Sequence, residues 1–329
     1  MKKAVITGIN GQDGSYLAEF LLEKGYDVHG IMKRNSVSET QAIRVEHISD
    51  KITLHYGDIT DLSSLIRIFS EVQPNEIYNL AAQSHVRISF DEPIYTSQAT
   101  GVGALNVIEA VRLLKLNSKI YQASSSEMFG NNIDDDGYQR ETTRMIPVSP
   151  YGVSKLFAHN MGINYRHSYN MFISNGILFN HESPRRGTNF VTNKVCKEAV
   201  KIKLGLTDKL KLGNLDATRD WGHAKDYVEA MWLILQQESP EDFVCSTGVS
   251  HSVKDLVIYV FEKLGLNWSN YISTDKKYLR PEELNDLKGD STKLRALTGW
   301  KPKYTFETML DEMVEYWLDY FNKQTNKKE

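Results

Sequence analysis

Residues 4–14 read AVITGINGQDG, and they decide the fold. Ala4 to Thr7 form a short strand pattern, and glycines follow at 8, 11 and 14. Tyr16, Leu17, Phe20 and Leu21 then recur at helical spacing. A strand, a glycine turn and a helix, in that order, leave free backbone N–H groups at the start of the helix. These groups attract an anion, and the glycines let a pyrophosphate approach the backbone. The alternation continues outward. DVHGIM (27–32), ITLHYG (52–57), EIYNLAA (76–82), KIYQAS (119–124) and FISNGIL (172–178) read as further strands. Leu62, Leu65, Ile66 and Phe69, and then Val107, Val111 and Leu114, fall at helical spacing between them.

Strands alternating with helices predict a parallel sheet covered on both faces. The expected class is α/β: a Rossmann-like doubly wound sheet with a smaller, mixed α/β C-terminal lobe for substrate. The sheet domain is expected over 1–178, with part of 219–248 packing back on it, and the substrate lobe mainly over 179–320. In that second half, 191–203, 223–237 and 252–264 read as helices. A last helix puts Phe306, Met309, Leu310, Met313, Val314, Trp317 and Leu318 on one face. The end of the chain is expected to fray over 321–329.

Bulk properties narrow the class further. The 329 residues carry a net charge of −3, which gives no whole-chain reason to expect a nucleic-acid partner. Cys196 and Cys245, the two cysteines, lie far apart in sequence and predict no disulfide framework. No apolar run approaches the roughly 18 residues of a membrane span. The N-terminus leads straight into the first strand and carries no signal-peptide pattern, so a cytoplasmic location is expected. No metal site is predicted.

The second strand ends in GIMKRNS (30–36), with Lys33 and Arg34 where NAD sites usually carry an acid. A guanidinium there suits the 2′-phosphate of NADP. Asp58, in GDITD at the next strand end, is placed to hydrogen-bond an adenine. YGVSK puts Tyr151 and Lys155 four apart, on one helix face. An adjacent ammonium stabilises phenolate and is expected to lower the tyrosine pKa, so that Tyr151 moves the proton of a sugar hydroxyl. The strand before it ends in ASSSEMFG (123–130), which adds hydroxyls and one carboxylate.

This combination resembles the extended short-chain dehydrogenase/reductase family, in which a hydroxyl residue at the fifth strand end completes a Ser/Thr–Tyr–Lys set. A glutamate beside it marks the nucleotide-sugar 4,6-dehydratases of that family, and Glu127 stands there. NLAAQSHVRISF (79–90), GILFNHESPRRGTNFVT (176–192), GNLDATRDWGHAKDYVEAMW (213–232) and RPEELNDLKGD (280–290) narrow the likeness. They resemble the GDP-mannose 4,6-dehydratases, over roughly residues 1–320. The resemblance implies NADP as cofactor, GDP-mannose as substrate, and a homodimer or homotetramer, with residues 34–48 reaching a neighbouring subunit.

Site residues follow from the same resemblance. Ser125, Glu127, Tyr151 and Lys155 match the catalytic positions. Gly8, Gly11, Asp13, Gly14, Arg34, Asp58, Ile59, Leu80, Ser84, Tyr95, Lys155, His181 and Arg186 match cofactor positions. Ser84, Asn180, Asn189, Val191, Lys194, Arg219 and Arg280 match positions around the GDP-sugar. The arginines suit forked contacts to diphosphate oxygens. Three departures stand out. Ser125 replaces the family's usual threonine. Asn193 stands where arginine is common, with weakening of a phosphate or subunit contact as the expected result. The loop 131–150 differs from the usual pattern and is expected to border the sugar.

The implied reaction turns GDP-mannose into GDP-4-keto-6-deoxy-mannose and water. Its steps are transient oxidation at C4, elimination across C5 and C6, and hydride return to C6. The alternatives are the same chemistry on a GDP-manno-heptose, a nucleotide-sugar epimerase or reductase, and a non-catalytic NADP sensor.

Overall fold

A computed structural model of the protein describes residues 1–36, 42–275, 278 and 281–325. The chain begins with β1 (Lys3–Thr7), α1 (Gln12–Glu23), β2 (Asp27–Met32), β3 (Thr53–Tyr56), α2 (Leu62–Val72) and β4 (Glu76–Asn79). Two short helices, α3 (Val86–Asp91) and α4 (Pro93–Thr96), run through a π-helical segment (Ser97–Val102) into α5 (Gly103–Leu113). Then come β5 (Lys119–Ser125), a 3-10 turn (Ser126–Phe129), α6 (Pro150–Tyr169) and β6 (Ile173–Leu178). The second half holds β7 (Asn180–Glu182), α7 (Val191–Lys203), β8 (Leu210–Leu212), β9 (Thr218–His223), α8 (Ala224–Leu235), β10 (Asp242–Cys245) and β11 (Ser250–Ser252). It ends with α9 (Val253–Lys263), β12 (Ile272–Thr274), β13 (Asp286–Leu287), α10 (Thr292–Thr298) and α11 (Phe306–Thr325).

The main sheet has the order β10-β6-β5-β4-β1-β2-β3, and every pairing in it is parallel. Both faces are covered, which is why its strands read as unbroken apolar runs. On one face, Leu17, Ala18 and Leu21 of α1 pack with Tyr227, Met231 and Ile234 of α8. On the other, Leu65, Ile68 and Phe69 of α2 meet Val107, Ile108 and Val111 of α5. Because β1 is flanked by β2 and β4, the chain leaves it in opposite directions on its two sides. A crevice opens at that switch point, beyond the carboxyl ends of the strands.

Residues 80–82 were expected to extend β4, but the strand stops at Asn79. The Leu80 and Ala81 N–H groups instead donate to Thr7 Oγ1, at 3.0 and 3.1 Å. That bond turns the chain across the end of β1 and shapes the floor of the crevice.

Beyond the sheet, β9 pairs with β7, β11 and β13, and β8 pairs with β12. A separate apolar cluster joins α7, α9 and α11. Met309, Leu310, Met313 and Val314 of α11 are fully buried in it. Each such side chain contributes about 1.5–3 kcal/mol. The expected fraying does not begin at 321, because α11 continues as helix to Thr325. Residues 326–329 lie outside the described residues. Among the described residues, no helix is long and apolar enough to cross a membrane.

Candidate active site

The crevice is a cavity of about 1390 Å³ that runs from the glycine turn to α7, β8 and β9. The sequence-predicted site residues line it, with two exceptions. Arg34 is exposed beyond the end of β2, between Lys33 and Asn35, which do line the cavity. Alternate residues of an extended chain point opposite ways, so Lys33 and Arg34 cannot both face in. Arg280 lies outside the described residues.

Local sequence sets the catalytic geometry. Ser149 caps α6 by accepting from Gly152 N at 3.0 Å, with Pro150 next to it in the first turn. That start places Tyr151 in the first turn and Lys155 one turn later, both buried. At the end of β5, Ser125 Oγ accepts from Glu127 N at 3.2 Å and caps the 3-10 turn. The cap fixes Glu127, itself buried, on the same side as Tyr151. Ser124, the neighbouring hydroxyl, is 3.0 Å from His159 Nδ1.

Tyr151 was expected to have its pKa lowered by Lys155. Burial instead pushes the phenol up to about 12; the Ser125 hydroxyl pulls against this, and the Glu127 carboxylate adds to it. Lys155 Nζ sits 5.8 Å from the Tyr151 ring centre and donates to the Ala123 carbonyl at 2.7 Å. Burial brings the lysine itself down to about 8, with Asp13 opposing. At Tyr151 desolvation therefore outweighs the groups that favour phenolate.

The glycine turn is closed on itself. A Cβ at Gly14 would lie 2.3 Å from Gly8 O and 2.6 Å from Ile9 Cα. Gly8 has φ +70 and lies against Ala81. No side chain caps α1, so its first N–H groups open toward the crevice. Burial would raise the Asp13 carboxyl, but His181 and Gln12 hold it below its usual range. At the β2 end, Lys33 Nζ pairs with Asp58 at 3.0 Å and lies over the Tyr95 ring. Asp58 also accepts from Thr60 N at 2.9 Å, so the carboxylate expected to face adenine is already held by its own chain. An uncapped helix start, a turn that excludes side chains and a cation at the β2 end fit a phosphorylated dinucleotide.

At the opposite end, Lys194 Nζ donates to Lys211 O at 2.6 Å and lies 3.5 Å from the Tyr278 ring centre. Arg219 donates to Thr218 O and Leu284 O, at 2.7 and 3.1 Å. Lys197, Lys209, Lys211, Tyr278 and Glu283 also line this end and were missed by sequence reasoning. A signal was present: Lys197 lies one helical turn after Lys194, and KLKL (209–212) alternates charge with buried leucine.

Two expectations about the departures are corrected. No residue of 131–150 lines the cavity. That loop is fastened behind it: Arg140 bonds Asp134, Asp136 and Asp290 at 3.1, 2.5 and 2.8 Å, and Asn131 bonds Glu283 O. Asn193 does not face the cavity either. It is fully buried, donates to the Arg186 carbonyl and accepts from Trp317 Nε1 at 2.6 Å.

Comparison with known proteins gives a consistent result. Residues 5–313 match the family described as GDP-mannose 4,6 dehydratase. GDP-mannose 4,6 dehydratase 1 of Arabidopsis thaliana is 51% identical over 326 residues, covering 95% of this chain and 89% of that protein. GDP-mannose 4,6 dehydratase of Homo sapiens is 51% identical, covering 94% of this chain and 90% of that protein. The fold is shared more widely. A dTDP-glucose 4,6-dehydratase from Bacillus anthracis, solved in complex with NAD, superposes with a TM-score of 0.83 at 22% identity, covering 98% of each chain. By the extent and identity of these matches, the chain belongs to the GDP-mannose 4,6-dehydratase family.

Proposed function

We propose that this protein is a lyase that converts GDP-mannose to GDP-4-keto-6-deoxy-mannose and water, with NADP as a resident cofactor. One observation supports the dehydration reading most directly. A buried carboxylate, Glu127, lines the cavity with Ser125 and Tyr151. An epimerase or simple reductase of this fold has no need of it.

NADP would be held by the turn of Gly8, Gly11, Asp13 and Gly14, and by Asp58, Ile59, Leu80, Ser84, Tyr95, Lys155, His181 and Arg186. Lys33, which lines the cavity, would take its 2′-phosphate. The chemistry NADP supplies when bound is a positively charged hydride acceptor for C4, which later returns the hydride to C6. Tyr151 takes the C4 hydroxyl proton, while Ser125 hydrogen-bonds that oxygen. The resulting C4 ketone acidifies C5, and Glu127 removes the C5 proton. Glu127 then gives a proton to the C6 hydroxyl, which leaves as water. C5 regains a proton, balancing the one released from the C4 hydroxyl.

Asn180, Asn189, Val191, Lys194 and Arg219 would hold the GDP, with Arg280. In this division, 1–178 carries the cofactor and 179–320 mainly carries the sugar nucleotide. A cytoplasmic homodimer or homotetramer completes the reading. Nothing lining the cavity favours a heptose, since the divergent loop 131–150 lies behind it.

The test is the mass of the nucleotide product after incubation with GDP-mannose and no added reductant. Loss of one water with GDP intact is expected. Unchanged GDP-mannose from folded, NADP-loaded protein overturns the assignment.

A further inference from the structure

His181 lies on β7 with its ring almost fully buried. Its Nδ1 is 2.7 Å from the Phe179 carbonyl oxygen, and its Nε2 is 2.7 Å from Asp13 Oδ2. A carbonyl can only accept a hydrogen bond, and so can an ionised carboxylate. A neutral imidazole has one N–H and satisfies one of these contacts. Both are satisfied when each ring nitrogen carries a proton.

The surroundings reinforce this arrangement. The charged and titratable groups facing the pair are Asp13 from α1, Arg186 from the turn after β7, Tyr227 from α8, Lys155 and Tyr151 from α6 and Tyr121 from β5. The His181 ring stacks on Tyr227 with centroids 4.5 Å apart. Gln12 Nε2 donates to Asp13 Oδ1 and to His181 O, at 3.0 and 3.1 Å. Its Oε1 accepts from Ser183 Oγ at 2.7 Å. Gln12 and Asp13, side by side in the glycine turn, thus grip the segment 181–183. Burial opposes charge on His181, but Asp13 carries its pKa above the ordinary range.

We propose that His181 is a positioning residue held as an imidazolium at neutral pH, whose charge cancels Asp13 and so lets the glycine turn accept a pyrophosphate. This rests on the cofactor reading given above. Left unpaired, the Asp13 carboxylate would repel an anion at the start of α1, where the glycine turn would receive it. The pair also ties the cofactor turn to β7, and β7 pairs with β9, which carries Arg219. The ion pair is thus one of the ties, with the Gln12 bonds, between the two halves of the cavity.

The first measurement is the nitrogen NMR spectrum of ¹⁵N-histidine-labelled protein at neutral pH, with His181 assigned by its loss in His181→Gln. Two protonated ring nitrogens are expected; one unprotonated nitrogen overturns the proposal. The second measurement is NADP affinity by calorimetry, without sugar. His181→Gln strands a buried carboxylate and should weaken NADP about ten- to hundredfold. Adding Asp13→Asn to the same chain removes that charge and should recover most of the loss. A double variant as weak as the single, or weaker, overturns the proposal, because a purely structural role accumulates damage. If His181→Gln alone fails to fold, Asp13→Asn provides the missing-resonance assignment through its shifted His181 signal. Failure of dehydration with NADP retained would sink only the reaction assigned above, whereas a neutral His181 would sink only this inference.

Discussion

Gly14→Ala tests whether the glycine turn is the anion site. A Cβ at position 14 would sit 2.3 Å from Gly8 O, 2.6 Å from Ile9 Cα and 2.9 Å from the Ile9 carbonyl carbon. Carbon contacts are comfortable at about 3.5 Å, so the turn must open by about 1 Å. All three atoms are backbone, so no rotamer change relieves the clash. The helix cannot retreat easily, because Leu17, Ala18 and Leu21 are fully buried behind it. Overpacking of this kind costs about 1–3 kcal/mol, and alanine's better helix propensity returns about 0.5–1. The net loss of stability is therefore about 0–2.5 kcal/mol, at most a fall of a few degrees in Tm for a chain of this size. The effect on binding should be larger. N–H groups displaced by about 1 Å lose charge-assisted hydrogen bonds worth about 1.5–3 kcal/mol, which is about ten- to hundredfold in Kd. Thermal unfolding and NADP calorimetry on the same samples separate the two. A variant with the lower Tm and unchanged NADP affinity would refute the placement of the pyrophosphate.

Four further outcomes are expected. Glu127→Gln should lower dehydration about 10²–10⁴-fold and abolish deuterium incorporation at C5 from heavy water; retained turnover would remove Glu127 from the proton transfer. Lys155→Met should be more stable than the parent near neutral pH, with the difference shrinking as pH rises. Lys155 loses its proton near 8 when folded and near the ordinary 10.5 when unfolded, so the parent gains stability across that window; a pH-independent difference would contradict the burial argument. Asn193→Ala orphans the Trp317 N–H and the Arg186 carbonyl and should cost about 1–3 kcal/mol, part of it recovered by adding Trp317→Phe; denaturant unfolding of the three variants checks this. Arg140→Ala should lower stability only slightly, since part-exposed ion pairs are weak, and leave kcat and KM for GDP-mannose unchanged; a shift in sugar preference would return the loop 131–150 to the site.

The doubly wound sheet was legible because a parallel strand covered on both faces leaves a continuous apolar run, and a helix between strands leaves a 3.6-residue period. Helix α7 was read over 191–203, the residues it occupies. The end of β4 was misread because Leu80–Ala82 are as apolar as a strand. What stops the strand is the Thr7 hydroxyl, more than seventy residues away in sequence. That Ser125, Glu127, Tyr151 and Lys155 share one cavity was legible from motif and resemblance, but their electrostatics were not. Spacing shows that Tyr151 and Lys155 share a helix face; it does not show that Ala123 O claims the ammonium. Asn193 was misjudged for a related reason. The arginine common at its position, beside Lys194, suggested a phosphate or subunit contact, yet neighbours on a helix point about 100° apart, and Asn193 turns inward to Trp317.

The charges of the cavity suggest why its parts are arranged as they are. Taken alone, Tyr151 keeps its proton, and Glu127 makes phenolate harder still to form. Two bases placed so close oppose each other's ionisation, an awkward arrangement for a site needing only one. A dehydratase needs both, at different carbons and at different moments. In the proposed reaction Tyr151 would serve the hydroxyl at C4 and Glu127 the proton at C5, which is acidic only once C4 has become a ketone. Formation of phenolate therefore depends on positive charge reaching Tyr151. Lys155, 5.8 Å from the Tyr151 ring centre and bonded to Ala123 O, is a buried cation placed to supply that charge, although burial lowers its own pKa to about 8. In the proposed reaction the order of the two proton transfers would follow from the ketone: oxidation at C4 comes first, because the C5 proton is not acidic before it.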